Sequence, residues 1–259
     1  MAIQWSGTNL NMRDQIKAAA TDLFIARGYR GLTFVDLAAQ IGIPRPNLHY
    51  YFLNKAQLAE EVLAGHTGRI VSLYAAAWMA RDIPMPQKFG ASLAAIRSVH
   101  GRYNPNGDEG RPWGLIARFV HERDAITDAM REILRRTHRR YQLCATVAVR
   151  QAVRRGELVA DAPRDELALL VTCLMRFAGE LTVHSRGFER VELHYAATRR
   201  TIGRAYGTEV WRRALERDAE PAAGIPSTPA SCPPPAPPAP SGEAPPGSGR
   251  RNPPAPGMR

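Results

Sequence analysis

An all-α fold is what this 259-residue sequence predicts, followed by a segment that does not fold. Apolar residues recur at helical spacing through about the first 210 residues, and no alternating apolar–polar stretch argues for a strand. Capping and stop residues punctuate the helical pattern at plausible lengths. Most of the 21 prolines fall beyond residue 220, in runs such as PPPAPPAP, a composition that cannot bury a core. That tail reads as disordered, either a docking peptide for a proline-binding partner or a neutral extension.

The first helix is expected over Met12–Arg27, with Ile16, Ala20, Leu23 and Phe24 on one stripe, Asn11 as cap and Gly28 as stop. Thr33 opens TFVD, a capping signal for a second helix to Ile41, which Gly42 ends. Asn54, with Gln57 three residues on, opens a longer helix through Leu63 and onward toward Ala80. Further helices are expected from Pro86 to His100, Trp113 to Glu122, Asp124 to Arg155, Pro163 to Arg186 and Val191 to Tyr206. In the longest of these, Ile126, Met130, Leu134, Tyr141, Cys144, Ala148 and Ala152 make the inner face. Arg131, Arg135 and Arg139 form a row on another face, read as solvated.

Composition narrows the function classes. The net charge of +11 favours a polyanionic partner, although only Lys17, Lys55 and Lys88 of the 35 basic residues are lysine, so an arginine-biased genome is an equal explanation. Three cysteines, Cys144, Cys173 and Cys232, form no C-x-x-C pair, which argues against a disulfide framework or a structural zinc. The longest apolar run, Leu167 to Met175, is far short of the ~20 residues that span a bilayer, and the N-terminus has no signal-peptide core. A soluble, cytoplasmic protein with no membrane partner, cofactor or metal is expected. No H-E-x-x-H, di-iron Glu-x-x-His or phosphate-binding loop supports an enzyme.

The stretch GIPRPNLHYYF, residues 42–52, carries the sharpest signal. A capped helix, a glycine turn and a second short helix make a helix-turn-helix. In the second helix Leu48, Tyr51 and Phe52 share one face, and Pro46, His49 and Tyr50 another, flanked by Asn47. Arg45 and Asn47 suit guanine and adenine edges in a major groove. His49 and Tyr50 suit phosphates or thymine methyls, and Thr33 and Lys55 suit phosphates near helix starts. The competing reading is that these rings cover an apolar seam, preferred for Tyr51.

ARGYRGLT, TFVDLAAQIGI and PRPNLHYYFLNKAQL together closely resemble the DNA-binding domain of TetR/AcrR-type transcriptional regulators, over about residues 12–63. Thr33, Ala38, Gly42, Leu48, Phe52 and Lys55 fit the family pattern in register. Pro44 stands where the family usually has a small capping residue, His49 where it has Tyr, and Tyr51 where it often has His.

The resemblance implies a flexible N-terminus over 1–11, a helix-turn-helix DNA-binding domain over 12–58, a helical effector-binding and dimerisation domain over 59–216, and the Pro-rich tail over 217–259. It further implies a homodimer on a palindromic operator, joined through the last two helices, and an unknown small-molecule effector that releases a repressor. Candidate effector contacts are Trp78, Phe89, His100, Tyr103, Trp113, Phe119, Tyr141, Cys144, Arg176 and Phe177. For Arg176 the alternative is an i, i+4 pair with Glu180. A DNA-bound architectural or protein-recruiting factor of the same fold, without a small-molecule ligand, is the rival reading.

Overall fold

A computed structural model describes residues 11–106, 110–185 and 187–219. Residues 1–10 of the expected flexible N-terminus and the tail from residue 220 lie outside the described residues, as do the side chains of 183–185 and 217–219. The described chain is helical, with one isolated antiparallel bridge between Leu158 and Gly207. The helices are α1 (Met12–Arg27), α2 (Phe34–Ile41), α3 (Arg45–Tyr51), α4 (Lys55–Trp78), α5 (Met85–Tyr103), α6 (Leu115–His121), α7 (Asp128–Arg154), α8 (Arg164–Ser185), α9 (Glu189–Tyr206) and α10 (Glu209–Ala219).

Local chemistry explains the boundaries. The Asn11 side chain accepts from Asp14 N at 3.0 Å and starts α1. Thr33 and Asp36 form a full capping box at α2. Gly42 adopts the left-handed conformation (φ 77°, ψ 31°), which lets Gly42 N and Ile43 N both reach Ala38 O. Asn54 Oδ1 accepts from Gln57 N at 2.9 Å to start α4.

Most expected ends fall within three residues of the observed ones; one boundary moves further and one helix is added. The helix expected from Asp124 begins at Asp128, because Thr127 Oγ1 caps it by accepting from Met130 N, while Glu122 and Asp124 turn to Arg30. Helix α10 lies beyond the last expected helix. Thr208, after Gly207, accepts from Val210 N and seats Trp211 and Ala214 in the core.

Two buried clusters organise the packing. One holds α1–α3 and the first turns of α4, from Ile16 through Leu48 and Phe52 to Leu63. It is completed by Leu115, Phe119, Ile126, Met130 and Ile133 from α6, the following loop and α7. The expected boundary at residue 58 therefore falls inside a continuous helix and a shared core. The other cluster joins α4, α5, α7, α8 and α9 around Tyr74, Trp78, Tyr141 and Tyr195. Leu134, expected on the inner face of α7, is only half-buried, and Ile133 and Thr137 take the inner positions.

The core of the second cluster depends on one close approach. A Cβ at Gly203 on α9 would meet Trp211 Nε1 at 2.4 Å, so α10 can pack only because that side chain is absent. Gly203→Ala is expected to displace Trp211, 1% exposed, and cost about 1–3 kcal/mol by overpacking. Thermal unfolding followed by tryptophan fluorescence checks this. An unchanged midpoint would mean α10 shifts freely.

Candidate functional site

The N-terminal unit presents α3 outward. Leu48 is fully buried and Phe52 is 1% exposed, and both belong to the core beneath. Arg45, Pro46, Asn47, His49 and Tyr50 are exposed, Tyr50 at 84%. Pro44 begins α3 with no side-chain cap, and Asn47 N reaches Pro44 O at 3.0 Å. The proline locks the entry angle at φ −61°. Tyr51 is half-buried against the core and stands edge-on to Tyr50, with centroids 5.0 Å apart. Its carbonyl accepts from Arg13 Nη1 at 2.5 Å.

Three of the expected DNA contacts have partners within the chain. His49 packs on Phe34, with centroids 5.1 Å apart, and its Nδ1 lies 3.4 Å from Leu53 O. Lys55 is half-buried, donates to Tyr29 O at 3.0 Å and lies 4.5 Å from the Tyr29 ring centroid. Thr33 donates its hydroxyl to Asp36 Oδ2 at 2.6 Å. The Thr33 hydroxyl, the bonded backbone amide and Arg27 hold the Asp36 carboxyl below the usual range. A phosphate at the start of α2 would meet that carboxylate. Arg45, Asn47 and Tyr50 remain the exposed polar residues of α3 whose side chains make no hydrogen bond among the described residues. Thr33, Arg45, His49, Asn54 and Lys55 surround a shallow groove of about 310 Å³.

Behind this unit lie two adjoining cavities. The inner one, about 60 Å³, is walled by Ile70 and Tyr74 of α4, Ile96 and Val99 of α5, Trp113 to Ala117, and Met175, Arg176, Ala178 and Gly179 of α8. At one side sits His66, 6% exposed, whose ring makes no hydrogen bond to the described residues. Burial, then the nearby Arg69 and Arg102, pull its pKa down to about 4, so it is neutral at pH 7. The outer cavity, about 310 Å³, lies between α6, α7 and α8 and is lined by Arg123, Arg131, Arg135, His138, Arg139, Arg176 and Glu180. The two share Ile116, Ala117, Tyr141 and Arg176. Gly114 and Gly179 let the start of α6 lie against α8: a Cβ on Gly114 would be 3.3 Å from Gly179 Cα.

Of the ten expected effector contacts, Trp113, Tyr141 and Arg176 line these cavities. The others have different surroundings. Trp78, Phe89 and Cys144 fill the body core, where Trp78 Nε1 donates to Ser92. His100 packs on Trp113 and Phe188. Phe119 belongs to the N-terminal cluster, and the Tyr103 hydroxyl reaches Asp22 of α1. Phe177 is half-buried beside Arg176, outside both linings. Large aromatic residues fill cores as readily as they border cavities, so residue type could not separate the two.

His66 went unnoticed in the sequence, although a lone histidine in the inner stripe of Val62, Leu63, Ile70 and Tyr74 was the available signal. The arginine row expected to be solvated is exposed at Arg135 and Arg139, and it also rims the outer cavity, with Arg131 paired to Asp128 and Arg135 and Arg139 paired to Glu132.

The cavities connect mechanically to the N-terminal unit. Helix α6 turns Ile116 and Ala117 to the cavities and Leu115 and Phe119 to α1. Arg118 donates to Ile25 O at 3.1 Å and Ala26 O at 2.9 Å. Glu122 accepts from Arg30 N at 2.8 Å.

Residues 16–62, spanning α1 to the first turns of α4, match the model of bacterial regulatory proteins of the tetR family. Over that stretch the chain is a member of the tetR family. It is 26% identical over 91 residues to the HTH-type transcriptional repressor KstR2 of Mycolicibacterium smegmatis. That match covers 35% of this chain and 44% of the relative, less than half of the relative's length. A TetR transcriptional regulator from Chloroflexus aurantiacus has a similar structure, with a TM-score of 0.62 at 23% identity over 75% of this chain and 96% of that one. The reduced form of NemR from E. coli gives a TM-score of 0.59 at 18% identity, covering 72% and 94%. At such identities the likeness establishes the tetR fold. Among the described residues, no three His, Cys, Asp or Glu side chains gather as a metal-ligand set, and no helix is long and apolar enough to cross a membrane.

The buried His66 is expected to make this body acid-sensitive. With a folded pKa of about 4 against about 6.5 unfolded, the unfolded chain binds the proton first as pH falls. The stability this group contributes is whole above pH 6.5 and declines to a floor below pH 4, a loss of about 3 kcal/mol. Urea unfolding across that range should show His66→Gln lacking this share of the slope. Parallel curves would place the acid sensitivity elsewhere.

Proposed function

We propose that this chain is a dimeric, sequence-specific DNA-binding regulator of transcription, a repressor released by a small molecule bound in the body. The observation that carries this reading is α3. It buries Leu48 and exposes Arg45, Asn47, His49 and Tyr50 on a unit whose core is shared with the cavity-bearing body. A seven-residue helix with its apolar side down and its polar side free fits a major groove, where Arg45 pairs with guanine O6/N7 and Asn47 with adenine N6/N7. Tyr50 and Lys55 add phosphate contacts, with Lys55 keeping donors beyond the one given to Tyr29.

Dimerisation is supported by the outer surface of α8 and α9, where Leu169, Leu170 and Leu193 are 57%, 44% and 63% exposed. A two-fold pairing of these helices buries them and sets two α3 helices on one duplex, so the operator is palindromic. The repressor named among the relatives favours repression as the sign.

An effector acts by population shift. Ligand in the cavities bears on α4 and α6, which hold α1 through Leu58–Leu63, Phe119 and Arg118. To take operator occupancy from about 99% to about 1%, the ligand must prefer the released state by about 5.5 kcal/mol.

Selection of bound duplexes from random DNA by the purified full chain tests the reading. A two-fold symmetric motif with half-sites about 34–36 Å apart, or a multiple of one turn, is expected, with two chains per duplex by sedimentation. Recovery of random sequence, or one chain per asymmetric site, overturns it.

A further inference from the structure

We infer that the body's cavities take a small amphiphilic anion, with an acidic head, carboxylate or phosphate, at Arg176 and an apolar tail in the outer cavity whose end reaches the inner chamber at the shared seam. This inference deepens the effector reading above and rests on it.

The inner chamber is apolar apart from His66, Tyr74, Trp113, Tyr141 and, at the seam, Arg176. The Tyr74 hydroxyl donates to Met175 O at 3.2 Å, and Trp113 Nε1 donates to Thr182 Oγ1 at 2.7 Å, so both are occupied. His66 is not: more than nine-tenths buried, it borders the chamber with no hydrogen-bond partner among the described residues. A buried polar ring without a partner costs free energy that a ligand hydroxyl or carbonyl would recover.

The outer cavity has a second such group. His138 Nδ1 is buried with no partner, and Arg176 stands near enough to help disfavour its cation, after burial itself. Arg176 makes no ion pair within 4 Å; Glu180, one turn on, borders the same cavity without closing on it. Three other arginines of the rim are partly neutralised: Asp128 takes Arg131, and Glu132 takes Arg135 and Arg139. Arg123 and Arg176 are the rim guanidiniums without an ion pair among the described residues, and Arg176 is the one at the seam that both cavities share, placed to hold an anion. A guanidinium fork binds carboxylate or phosphate with two parallel hydrogen bonds, and the half-enclosed setting strengthens them. The outer volume of about 310 Å³ matches the smaller end of small-molecule sites.

Calorimetry of the full chain with decanoate, decyl phosphate and 1-decanol, each below its aggregation concentration, tests the inference. Saturable binding of one or both anions is expected, with decanol weaker by about 10–100-fold. Preference for decanoate or for decyl phosphate decides between carboxylate and phosphate heads. Arg176→Gln, at an exposed position, should weaken the anions by a similar factor and leave decanol nearly unchanged. Ala117→Trp fills the shared seam and should abolish binding of all three probes. Equal binding of decanol and the anions, unaltered anion binding by Arg176→Gln, anion binding that survives Ala117→Trp, or no binding by any probe overturns the inference. Operator affinity measured with and without decanoate separates the two claims. Binding without release keeps the ligand class and removes the effector reading, whereas a selected operator with no anion binding keeps DNA recognition and removes the ligand class.

Discussion

Arg45→Ala is expected to weaken operator binding by about 30-fold to about 10,000-fold and to relax sequence preference at one symmetric pair of positions. A bidentate arginine–guanine pair discriminates by about 1–3 kcal/mol, and a two-fold dimer loses it twice, about 2–6 kcal/mol in all. The Arg45 side chain is exposed at the start of α3 and no intramolecular ion pair holds it, so its removal leaves the fold intact. Binding to random duplex should change far less, because its affinity comes from phosphates. Fluorescence anisotropy at fixed salt, on the selected operator and on operators altered at one symmetric position, makes the measurement. An equal loss on operator and random DNA would assign Arg45 to the backbone instead of a base.

Phe119→Ala should cost about 3–5 kcal/mol of stability, the range for emptying a buried phenylalanine site. The ring is fully buried, 5.4 Å from Phe24 in an edge contact and 6.1 Å from Tyr29. It is the member of α6 that closes the core of the N-terminal unit, and a domain of ordinary stability, about 5–15 kcal/mol, would lose a large share. Because Tyr29 also receives Lys55, the cavity loosens the support of the recognition helix as well as the fold. Urea unfolding gives the stability, and operator binding at low temperature gives the coupling. A loss under about 1 kcal/mol would mean α1 and α6 collapse onto each other freely, and α6 would then be a poor transmitter between cavity and DNA.

Much of the fold could be read along the chain. Asn11, Thr33, Gly42 and Asn54 announce helix ends through bonds that span four residues or fewer. The two faces of α3 follow from the spacing of Leu48 and Phe52 against Asn47 and Tyr50, and the structure buries and exposes them accordingly. Helix α10 was missed because Gly207 resembles an end, and only Trp211 packing beside Gly203 gives the following residues a reason to be helical. The cavity lining was read poorly. Phe89 and Phe119 have the same chemistry as Trp113 and Tyr141, yet neighbours from other helices fill the space around the first two and leave it open beside the others.

Helix type, helix ends and the outward side of α3 were written into contiguous residues, since capping bonds and a 3.6-residue repeat act within a few positions of one another. Packing alone chose which aromatic rings border empty volume, turned the arginine row of α7 toward a cavity, and left His66 without a hydrogen bond and Arg176 without an ion pair among the described residues. A cavity is the space that residues far apart in the chain fail to fill, and an unpaired charge is one whose possible partners sit elsewhere. Neither can be expressed by the order of residues along one helix.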